Sequence, residues 1–278
     1  AVKRYADLFG VSCGEKCILF TNNDSAYETA ISLIQKGINI EAIVDNREKV
    51  DSKLLYEVEK SNIKIFKGYT VTDTFGYKRI NKISIKQLSK DGQKVVGSKI
   101  SLNCDCLGIS GGWTPAVHLF TQSGGKLKFR DEDQVFIPNI YPSDQISIGS
   151  CNGDFTLDEI LSTVPKTLKE FLNLKKTDYE DLEIKSSFNK SKRNIWLLPS
   201  DKVIGKTKPF VDYQNDATAK DIKLALREGF RSIEHVKRYT TTGMGTDQGK
   251  LGNMHALGII SETAGSKMGE LGTTTFRP

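Results

Sequence analysis

A strand–helix–strand pattern over residues 17–45 constrains the fold more than any other feature of the sequence. Cys17–Phe20 is a short apolar run of the kind that forms a buried parallel strand. Apolar side chains then recur at helical spacing over Ala26–Ile34, and a second apolar run, Ile40–Val44, ends at Asp45. An acid about 20 residues after the turn is the arrangement of a dinucleotide-binding unit. We therefore predict an α/β fold with a Rossmann-like domain.

The glycine-rich phosphate loop of such a unit is missing. Where Gly-x-Gly-x-x-Gly would stand, the chain has Thr21-Asn22-Asn23-Asp24-Ser25-Ala26. Side chains in this turn block the approach of a pyrophosphate, and the carboxylate of Asp24 repels it. We therefore predict a degenerate phosphate loop, and we interpret Asp45 as a strand-end acid that no longer meets a ribose.

A β-meander is predicted between residues 63 and 103. Short β-rich runs alternate with turns there, and Asp91-Gly92 is a hairpin signal between two of them. A β-meander is a usual insert in two-dinucleotide oxidoreductases. The turn Ser110–Pro115 resembles the segment that ends the second nucleotide domain of those proteins.

A glycine-containing turn is predicted after Pro142. Gln145–Ile148 is predicted as a strand, Gly149–Gly153 as a tight turn, and Leu157–Leu161 as the start of a helix. The glycines fit a plain strand-to-helix connection. They fit equally a helix N-terminus that points at a bound pyrophosphate or ribityl chain.

Composition narrows the classes of partner. The net charge of +6 is spread over 40 basic and 34 acidic residues. The densest basic stretches, Lys175-Lys176 and Lys185–Arg193, do not form a stripe with stacking aromatics, so no nucleic-acid partner is predicted. No apolar run reaches the ~20 residues of a membrane helix. The five cysteines are few and irregularly spaced, which favours reduced thiols in a cytoplasmic protein.

Residues 211–252 carry the most specific pattern. Thr218 is predicted to cap a helix that runs to Glu228, and Ser232 to cap a second helix. The loop that follows, Thr-Thr-Thr-Gly-Met-Gly-Thr-Asp-Gln-Gly, exposes backbone amides and small side chains. Such a loop suits the close approach of a phosphate or a sugar. A tight polar connector between helices explains the same composition.

The order of these elements resembles the small helical iron–sulfur module of multi-subunit amine oxidoreductases. That module has four cysteines, and the matching positions here hold Asp212, Gln214, Asp247 and Gly252. An iron–sulfur cluster needs thiolate ligands. We therefore predict a cysteine-free helical module, resembling a [2Fe-2S]-type domain, that holds no metal.

The chain as a whole resembles the alpha subunits of heterotetrameric sarcosine oxidases. The resemblance is carried by the segments His235–Lys250, Gly272–Pro278, 16–46 and 104–125. It implies a complex with beta, gamma and delta subunits that demethylates sarcosine to glycine, with formation of H2O2 and 5,10-methylenetetrahydrofolate. FAD, FMN and tetrahydrofolate serve that complex. The alpha subunit holds NAD that is not turned over, and the beta subunit oxidises the substrate.

By the same resemblance, the Thr-rich loop approaches NAD. A threonine hydroxyl can donate to a phosphate or ribose oxygen, a glycine permits backbone approach, and a carboxylate accepts ribose hydroxyls. The predicted cofactor-binding residues are Thr240, Thr241, Thr242, Gly245 and Asp247, with Gly149 and Gly153. Asp247 can equally cap the turn that follows it. The three histidines have no partners at ligand or triad spacing, so no catalytic residue and no metal ligand is predicted.

The predicted organisation has five parts. In chain order they are 1–125, a second nucleotide domain with a degenerate phosphate loop; 126–165, a return segment to the first, NAD-binding domain; 166–206, a connector; 207–262, the helical module; and 263–278, a tail leading to a folate-binding-like domain. The first and last residues suggest a piece of a longer polypeptide, inactive by itself.

Two other functions stay open. The helices and the Thr-rich loop can serve only to clamp partner subunits, as a non-enzymatic assembly module. The chain can also be a relative of the NAD(P)H-dependent flavin disulfide reductases, with Cys13 and Cys17 as the redox pair. The amine substrate is open as well, because close relatives act on other N-methyl amines.

Overall fold

The structure, a computed structural model, describes residues 1–142, 144–174, 194–202 and 206–272. The chain divides into two compact units. Unit 1 comprises Ala1–Trp113 and the described part of Ser187–Asp201, and unit 2 comprises the described parts of Thr114–Ser186 and Lys202–Pro278. Most of the predicted connector, its two basic stretches and the end of the predicted tail lie outside the described residues.

Unit 1 contains a parallel sheet and an antiparallel sheet. Its elements are α1 (Val2–Phe9), β1 (Lys16–Thr21), α2 (Ser25–Gln35), β2 (Asn39–Asp45), α3 (Lys53–Lys60), β3 (Lys64–Lys67), β4 (Tyr69–Gly76), β5 (Ile80–Leu88), β6 (Val95–Asn103) and β7 (Cys106–Ser110). The parallel sheet has the order β3-β2-β1-β7, and β4, β5 and β6 pair antiparallel. The predicted α/β fold with a parallel sheet is confirmed. The β-meander is confirmed for β4 to β6, whereas β3, which was predicted as its first run, pairs parallel with β2 instead.

The apolar run of β1 forms the centre of the parallel sheet. Five of its six residues are buried, because both faces of the sheet are covered. On one face Leu19 packs with Leu33 of α2, and on the other Ile18 packs with Ile83 of β5. Full burial of each such side chain stabilises the folded state by ~1.5–3 kcal/mol. The alternation along β1 therefore holds the helix layer and the meander to opposite faces.

Unit 2 combines a hairpin, a helix and a small helical cluster. Its elements are α4 (His118–Gln122), β8 (Lys126–Arg130), β9 (Val135–Ile140), a 3-10 turn (Gly149–Asn152), α5 (Leu157–Phe171), β10 (Phe210–Asp212), β11 (Ala217–Thr218), α6 (Ala219–Arg227), α7 (Ile233–Thr240), α8 (Asn253–Ala264) and α9 (Met268–Leu271). No helix among the described residues has both the length and the apolar surface needed to cross a bilayer.

The two helices predicted within 211–252 are confirmed. α6 begins directly after Thr218, and the Asp221 carboxylate accepts from the backbone amide of Thr218 at 2.8 Å and from its hydroxyl at 2.6 Å. The Asp221 carboxylate thus satisfies the backbone amide of Thr218 at the N-terminus of α6. α7 follows Ser232, which makes no capping hydrogen bond through its side chain.

The strand predicted at Gln145–Ile148 is wrong. These residues lead into the 3-10 turn without joining a sheet that the structure describes. An alternating apolar pattern forms a strand only when a neighbouring strand supplies hydrogen-bond partners, and here β8 and β9 pair with each other. The helix predicted from Leu157 is confirmed and runs on to Phe171.

Candidate functional site

Side chains fill the cleft at the carboxyl ends of β1 and β7, where a Rossmann-like sheet would bind a dinucleotide. Asn22 donates to the carbonyl oxygen of Gly111 at 3.1 Å, and Asn23 donates to that of Ser110 at 3.2 Å. Both asparagines and Asp24 are buried. A polar turn bound to the end of β7 thus stands in place of a glycine-rich loop, in agreement with the predicted degenerate phosphate loop.

An ion-pair network closes the same cleft beside β2. Arg47 Nη1 lies 2.8 Å from Asp24 Oδ1, and Arg47 Nη2 lies 2.7 Å from Asp45 Oδ2. Tyr27 donates its hydroxyl to Asp45 Oδ2 at 2.9 Å. Both carboxylates are fully buried. Because Asp45 is engaged within the chain, the structure supports the interpretation that it does not meet a ribose.

The charges of this network disfavour a bound phosphate. Burial opposes ionisation of the Arg47 guanidinium, but the hydrogen bonds and charges of Asp45 and Asp24 outweigh it and raise the pKa of Arg47. Burial, together with the charge of Asp45, raises the pKa of the Tyr27 hydroxyl. Two carboxylates, one guanidinium and a neutral phenol leave the cleft with a net negative charge, which repels a pyrophosphate.

The Thr-rich loop begins where α7 ends. Thr240 donates its hydroxyl to the carbonyl oxygen of Val236 at 2.8 Å, and its Oγ1 lies 2.7 Å from that of Thr242. Thr242 is buried, whereas Thr241 is exposed and has a left-handed φ of 59° that ends the helix. Of the three predicted threonines, Thr241 is the most accessible to a ligand.

Asp212, at the end of β10, anchors this loop. Its Oδ1 accepts from the backbone amides of Gln214 at 2.8 Å and Asn215 at 3.0 Å, and its Oδ2 accepts from that of Gly243 at 2.7 Å. Burial would raise the pKa of Asp212, but these amide donors outweigh it and hold the pKa below its usual value. The Asp212 carboxylate is therefore charged at neutral pH and ties the loop to the β10–β11 hairpin.

Gln214 holds the next part of the loop. Its Oε1 accepts from the backbone amide of Thr246 at 2.5 Å and from the Thr246 hydroxyl at 2.8 Å. Gly245 lies so close that a Cβ there would stand 2.3 Å from Gln214 Oε1. The glycine at this predicted site position is therefore required by packing within the loop.

Asn253, the first residue of α8, packs against the far side of the loop. A Cβ on Gly243 would stand 2.2 Å from Asn253 Oδ1, and one on Gly249 would stand 2.1 Å from the same atom. Asp247 Oδ1 accepts from the backbone amide of Gly249 at 3.0 Å. This bond matches the turn-capping role that the sequence left open for Asp247.

Asp212, Gln214, Asp247 and Gly252, which the sequence analysis compared with the cysteines of iron–sulfur modules, have structural roles here. Asp212 and Gln214 accept from amides of the loop, and Asp247 caps its turn. At Gly252 a Cβ would stand 2.6 Å from the carbonyl oxygen of Val211, so the glycine permits a close backbone contact. In the described part of the chain, no group of three or more His, Cys, Asp or Glu side chains is placed to hold a metal ion.

A surface cavity of about 330 Å³ opens beside the loop, within unit 2. This volume is at the lower end of the range for small-molecule sites, ~300–1,000 Å³. The cavity is lined by Asn215, Asp216, Ala217, Asp221, Leu224, Tyr239, Thr240 and Thr241. Two predicted site residues, Thr240 and Thr241, thus share a cavity wall with carboxylates, an amide and an aromatic ring. Gly245 and Asp247 belong to the same loop but do not line this cavity.

Gly149 and Gly153 lie at either end of the 3-10 turn, in a separate group of contacts. Both have left-handed φ values, 67° and 87°. Arg130 Nη2 donates to the carbonyl oxygen of Gly153 at 2.8 Å. The N-terminus of α5 already has its cap, because the Glu159 carboxylate accepts from the backbone amide of Thr156 at 3.2 Å. These contacts favour a plain connection into the helix, and cofactor contact by the two glycines stays a prediction.

The cysteines are arranged differently from a disulfide reductase pair. Cys13 is exposed and Cys17 is buried, with the Cys17 sulfur 3.7 Å from that of Cys106. A redox pair of Cys13 and Cys17 would require both thiols to lie together beside a flavin. This geometry does not favour the reductase alternative.

Several residues of the cleft, of the cavity and around the loop were not predicted from the sequence. They are Arg47, Asn215, Asp216, Tyr239 and Asn253. A basic residue two positions after the strand-end acid was a usable signal for Arg47, and the Asn-Asp dipeptide indicated a turn. The sequence held no signal for Asn253, whose role depends on the fold that brings α8 against the loop.

The chain is similar along its whole length to sarcosine oxidase alpha subunits. Residues 206–278 match a family model described as "Sarcosine oxidase A3 domain". The chain is 32% identical to sarcosine oxidase subunit alpha of Rhizobium meliloti (strain 1021), covering 100% of this chain and 27% of that protein. It is 31% identical to the same subunit of Corynebacterium sp. (strain P-1), covering 100% of this chain and 29% of that protein. The resemblance predicted from the sequence is confirmed.

The chain spans less than a third of the length of these curated relatives. Among solved structures, L-proline dehydrogenase from P. horikoshii aligns with 99% of this chain and 50% of its own, with a TM-score of 0.59 and 17% identity. At that identity the similarity concerns the fold alone.

Proposed function

We propose that this chain, a segment related along its whole length to sarcosine oxidase alpha subunits, contributes to non-catalytic NAD binding and to subunit assembly. In this proposal the complete cytoplasmic complex, with beta, gamma and delta subunits, oxidises sarcosine to glycine. H2O2 and 5,10-methylenetetrahydrofolate are the further products. FAD, FMN and tetrahydrofolate act elsewhere in that complex, and the segment itself catalyses no step.

The observation that carries the proposal is the anchored loop over residues 240–252, in the part of the chain that matches the A3 domain. Asp212 and Gln214 accept hydrogen bonds from its backbone amides and thereby fix its shape. A loop whose shape is already set loses little conformational entropy when it binds. In the proposal, residues 207–262 keep the frame of an iron–sulfur module, with these hydrogen bonds in place of the cluster.

The cavity beside the loop offers groups that suit a nucleoside. The Asp216 carboxylate can accept from ribose hydroxyls, the Thr241 hydroxyl can donate to a ribose or phosphate oxygen, and the Tyr239 ring provides a face for a base. Bound NAD supplies binding free energy here and transfers no hydride. Gly245, Asp247, Thr242, Gly149 and Gly153 remain predicted contacts of the cofactor.

The filled cleft of unit 1 supports an NAD site elsewhere in the protein. The side chains of Arg47, Asp24 and Asp45 occupy the place where a nucleotide would bind, and together they carry a net negative charge. In the proposal, residues 1–125 therefore serve as a second nucleotide domain that has become structural. Residues 126–165 lead back to the first, NAD-binding domain, 166–206 connect to the helical module, and 263–278 lead to a folate-binding-like domain.

The melting temperature of the complete subunit tests NAD binding. A ligand that binds only the folded state stabilises it by ~2.7 kcal/mol at 100 times its Kd, so we expect NAD to raise the melting temperature. Thr241→Val should weaken that rise, and Ser162→Ala, which removes an exposed hydroxyl from α5, should leave it unchanged. Mass spectrometry should identify NAD as the ligand released from the intact subunit. Release of flavin or iron instead would contradict the proposal.

A second candidate is the assembly module without NAD. The observation that favours it is the exposure of large apolar side chains at the loop, 45% for Met244 and 69% for Leu251. Such side chains are enriched at protein interfaces when they cluster. The double variant Met244→Ser with Leu251→Ser should then lower the recovery of partner subunits. Leu119→Ser, at an equally exposed position on α4, serves as the matched control. Lost assembly together with no NAD stabilisation would favour this candidate.

A further inference from the structure

Two cysteine side chains face each other across β1 and β7. The strands are parallel neighbours, with Cys17 directly opposite Cys106. Their sulfur atoms lie 3.7 Å apart, and neither thiol is in a disulfide. Neighbouring strands lie ~4.8 Å apart, which falls within the Cα separation of ~4.4–6.8 Å that a disulfide spans. Rotation of the side chains can therefore bring the sulfurs to bonding distance without moving the sheet.

The pair is separated from the other thiols of unit 1. Cys17 and Cys106 pack with Ala6 of α1 on the helix-covered face of the sheet. Cys104 packs on the opposite face, with the meander, and Cys13 is exposed before β1 begins. Residues two positions apart within one strand share a face, but Cys104 lies outside β7, before a bend at Asp105, and therefore does not share the face of Cys106. The nearest thiol partner of Cys17 is thus Cys106.

The two thiols differ in accessibility and acidity. Cys106, on the edge strand of the sheet, is 8% exposed, and Cys17 is 1% exposed. The hydrogen bond between them and burial raise the pKa of Cys17, and the same hydrogen bond lowers the pKa of Cys106. Since the thiolate is the reactive form of cysteine, Cys106 is the thiol that a small oxidant meets first.

We propose that Cys17 and Cys106 form a reversible oxidation site that hydrogen peroxide closes to a disulfide. The Cys106 thiolate attacks one oxygen of the peroxide, the O–O bond breaks, and Cys106 becomes a sulfenic acid while protonated hydroxide leaves as water. The Cys17 sulfur then attacks the sulfenic sulfur and gives up its proton. The S–O bond breaks, the disulfide forms and a second water leaves. Two electrons pass from the thiols to the peroxide, and a dithiol reductant reverses the reaction.

The cross-link would join two strands that are far apart in sequence. The chain between Cys17 and Cys106 includes β2, β3 and the whole meander. Closing so long a loop restricts the unfolded chain and stabilises the folded state in the entropy model of disulfides. The inference does not depend on NAD binding, because peroxide from any source suffices.

Peptide mass spectrometry of the full chain tests the proposal. The folded protein is treated with hydrogen peroxide, alkylated and digested. We expect a cross-linked peptide containing Cys17 and Cys106, with a mass two hydrogen atoms below the sum of the reduced peptides, that dithiothreitol separates. The melting temperature should rise on oxidation. Cys104→Ala, a buried thiol close in sequence on the other face, should leave both results unchanged.

Trapping of the sulfenic acid tests the order of the steps. In Cys17→Ala, dimedone should label Cys106 after peroxide treatment, whereas in Cys106→Ala the remaining Cys17 should stay unlabelled. The proposal is overturned if both thiols stay reduced while Cys13 is oxidised, or if the disulfide joins either of them to Cys13 or Cys151. A label on Cys17 overturns the assigned order. Peptide mass spectrometry of the wild-type protein decides whether the disulfide forms, even if one of the variants does not fold.

Discussion

The carboxylate of Asp212 accepts a hydrogen bond of 2.7 Å from the backbone amide of Gly243, which lies 31 positions further along the sequence. The bond joins the end of β10 to the loop that follows α7. A hydrogen bond between a carboxylate and a backbone amide thus fixes the loop to the β10–β11 hairpin.

Asp212→Asn should destabilise unit 2. Asparagine has an NH2 group in place of one carboxylate oxygen, and this group cannot accept a hydrogen bond. At least one of the three backbone amides that donate to Asp212 therefore loses its partner. A buried donor without a partner costs about 1–3 kcal/mol. Chemical denaturation should show that loss, and amide hydrogen exchange should become faster over residues 240–252. Asp216→Asn, an exposed acid in the adjacent turn, should change neither measurement.

The same carboxylate should make stability fall at acid pH. The folded-state pKa of Asp212 is below its ordinary value of 3.8. Its contribution is therefore fully present above that ordinary value, and it is lost as the pH falls towards the lowered pKa of the folded state. The free energy of unfolding, measured from neutral to acid pH, should decline less steeply in Asp212→Asn than in the wild type. Parallel curves for the two proteins would contradict this assignment.

Arg47→Met should be strongly destabilising. It leaves Asp24 and Asp45 buried together without their shared cation, and breaking a buried pair in this way costs about 3–5 kcal/mol. Chemical denaturation of the full chain measures the effect on unit 1. Lys3→Met removes an ion pair with Glu28 in which both side chains are well exposed, and such pairs contribute ~1 kcal/mol or less. Equal losses for the two variants would show that the network is not needed.

The triple variant Arg47→Met, Asp24→Asn, Asp45→Asn should recover much of that loss. Replacing every charge in a buried network removes the desolvation of the carboxylates as well as their pairing. The recovery, measured as the difference in unfolding free energy from Arg47→Met, isolates the electrostatic part. If the triple variant is no more stable than the single one, packing of the Arg47 side chain explains the loss instead.

Gly249→Ala should destabilise more than Gly265→Ala. Both glycines have positive φ, 75° and 67°, so alanine strains the backbone at either position. Only at Gly249 would the new Cβ meet another group, 2.1 Å from Asn253 Oδ1, whereas Gly265 has nothing within 4 Å. The difference between the two losses in thermal unfolding therefore measures the contact between the loop and α8. Similar losses would mean that Asn253 moves aside without cost.

The sequence predicted those structural features that depend only on residues a few positions apart. The continuous apolar run of β1 and the cap at Thr218 depend on neighbours a few positions away, and both were found. The absence of glycine between Thr21 and Ala26 predicted a filled phosphate loop, because the steric argument needs only those residues. The resemblance to sarcosine oxidase alpha subunits, which rested chiefly on the run His235–Lys250, is confirmed.

Features that depend on distant parts of the chain were missed. Arg47 reaches Asp24 only because β1 and β2 lie side by side, and Gln214 reaches Thr246 only after α6 and α7 fold back. The wrong strand at 145–148 has the same origin, since its apolar alternation said nothing about whether a partner strand was near. The cavity beside Thr241 likewise requires the tertiary arrangement of unit 2.

The ion-pair network of Arg47 with Asp24 and Asp45 has a consequence for how unit 1 folds. Relatives of a nucleotide fold commonly gain stability when their ligand arrives, so their folded fraction follows the ligand's concentration. Here the guanidinium at position 47 comes from the polypeptide itself. We therefore expect unit 1 to fold to the same extent whether or not nucleotide is supplied.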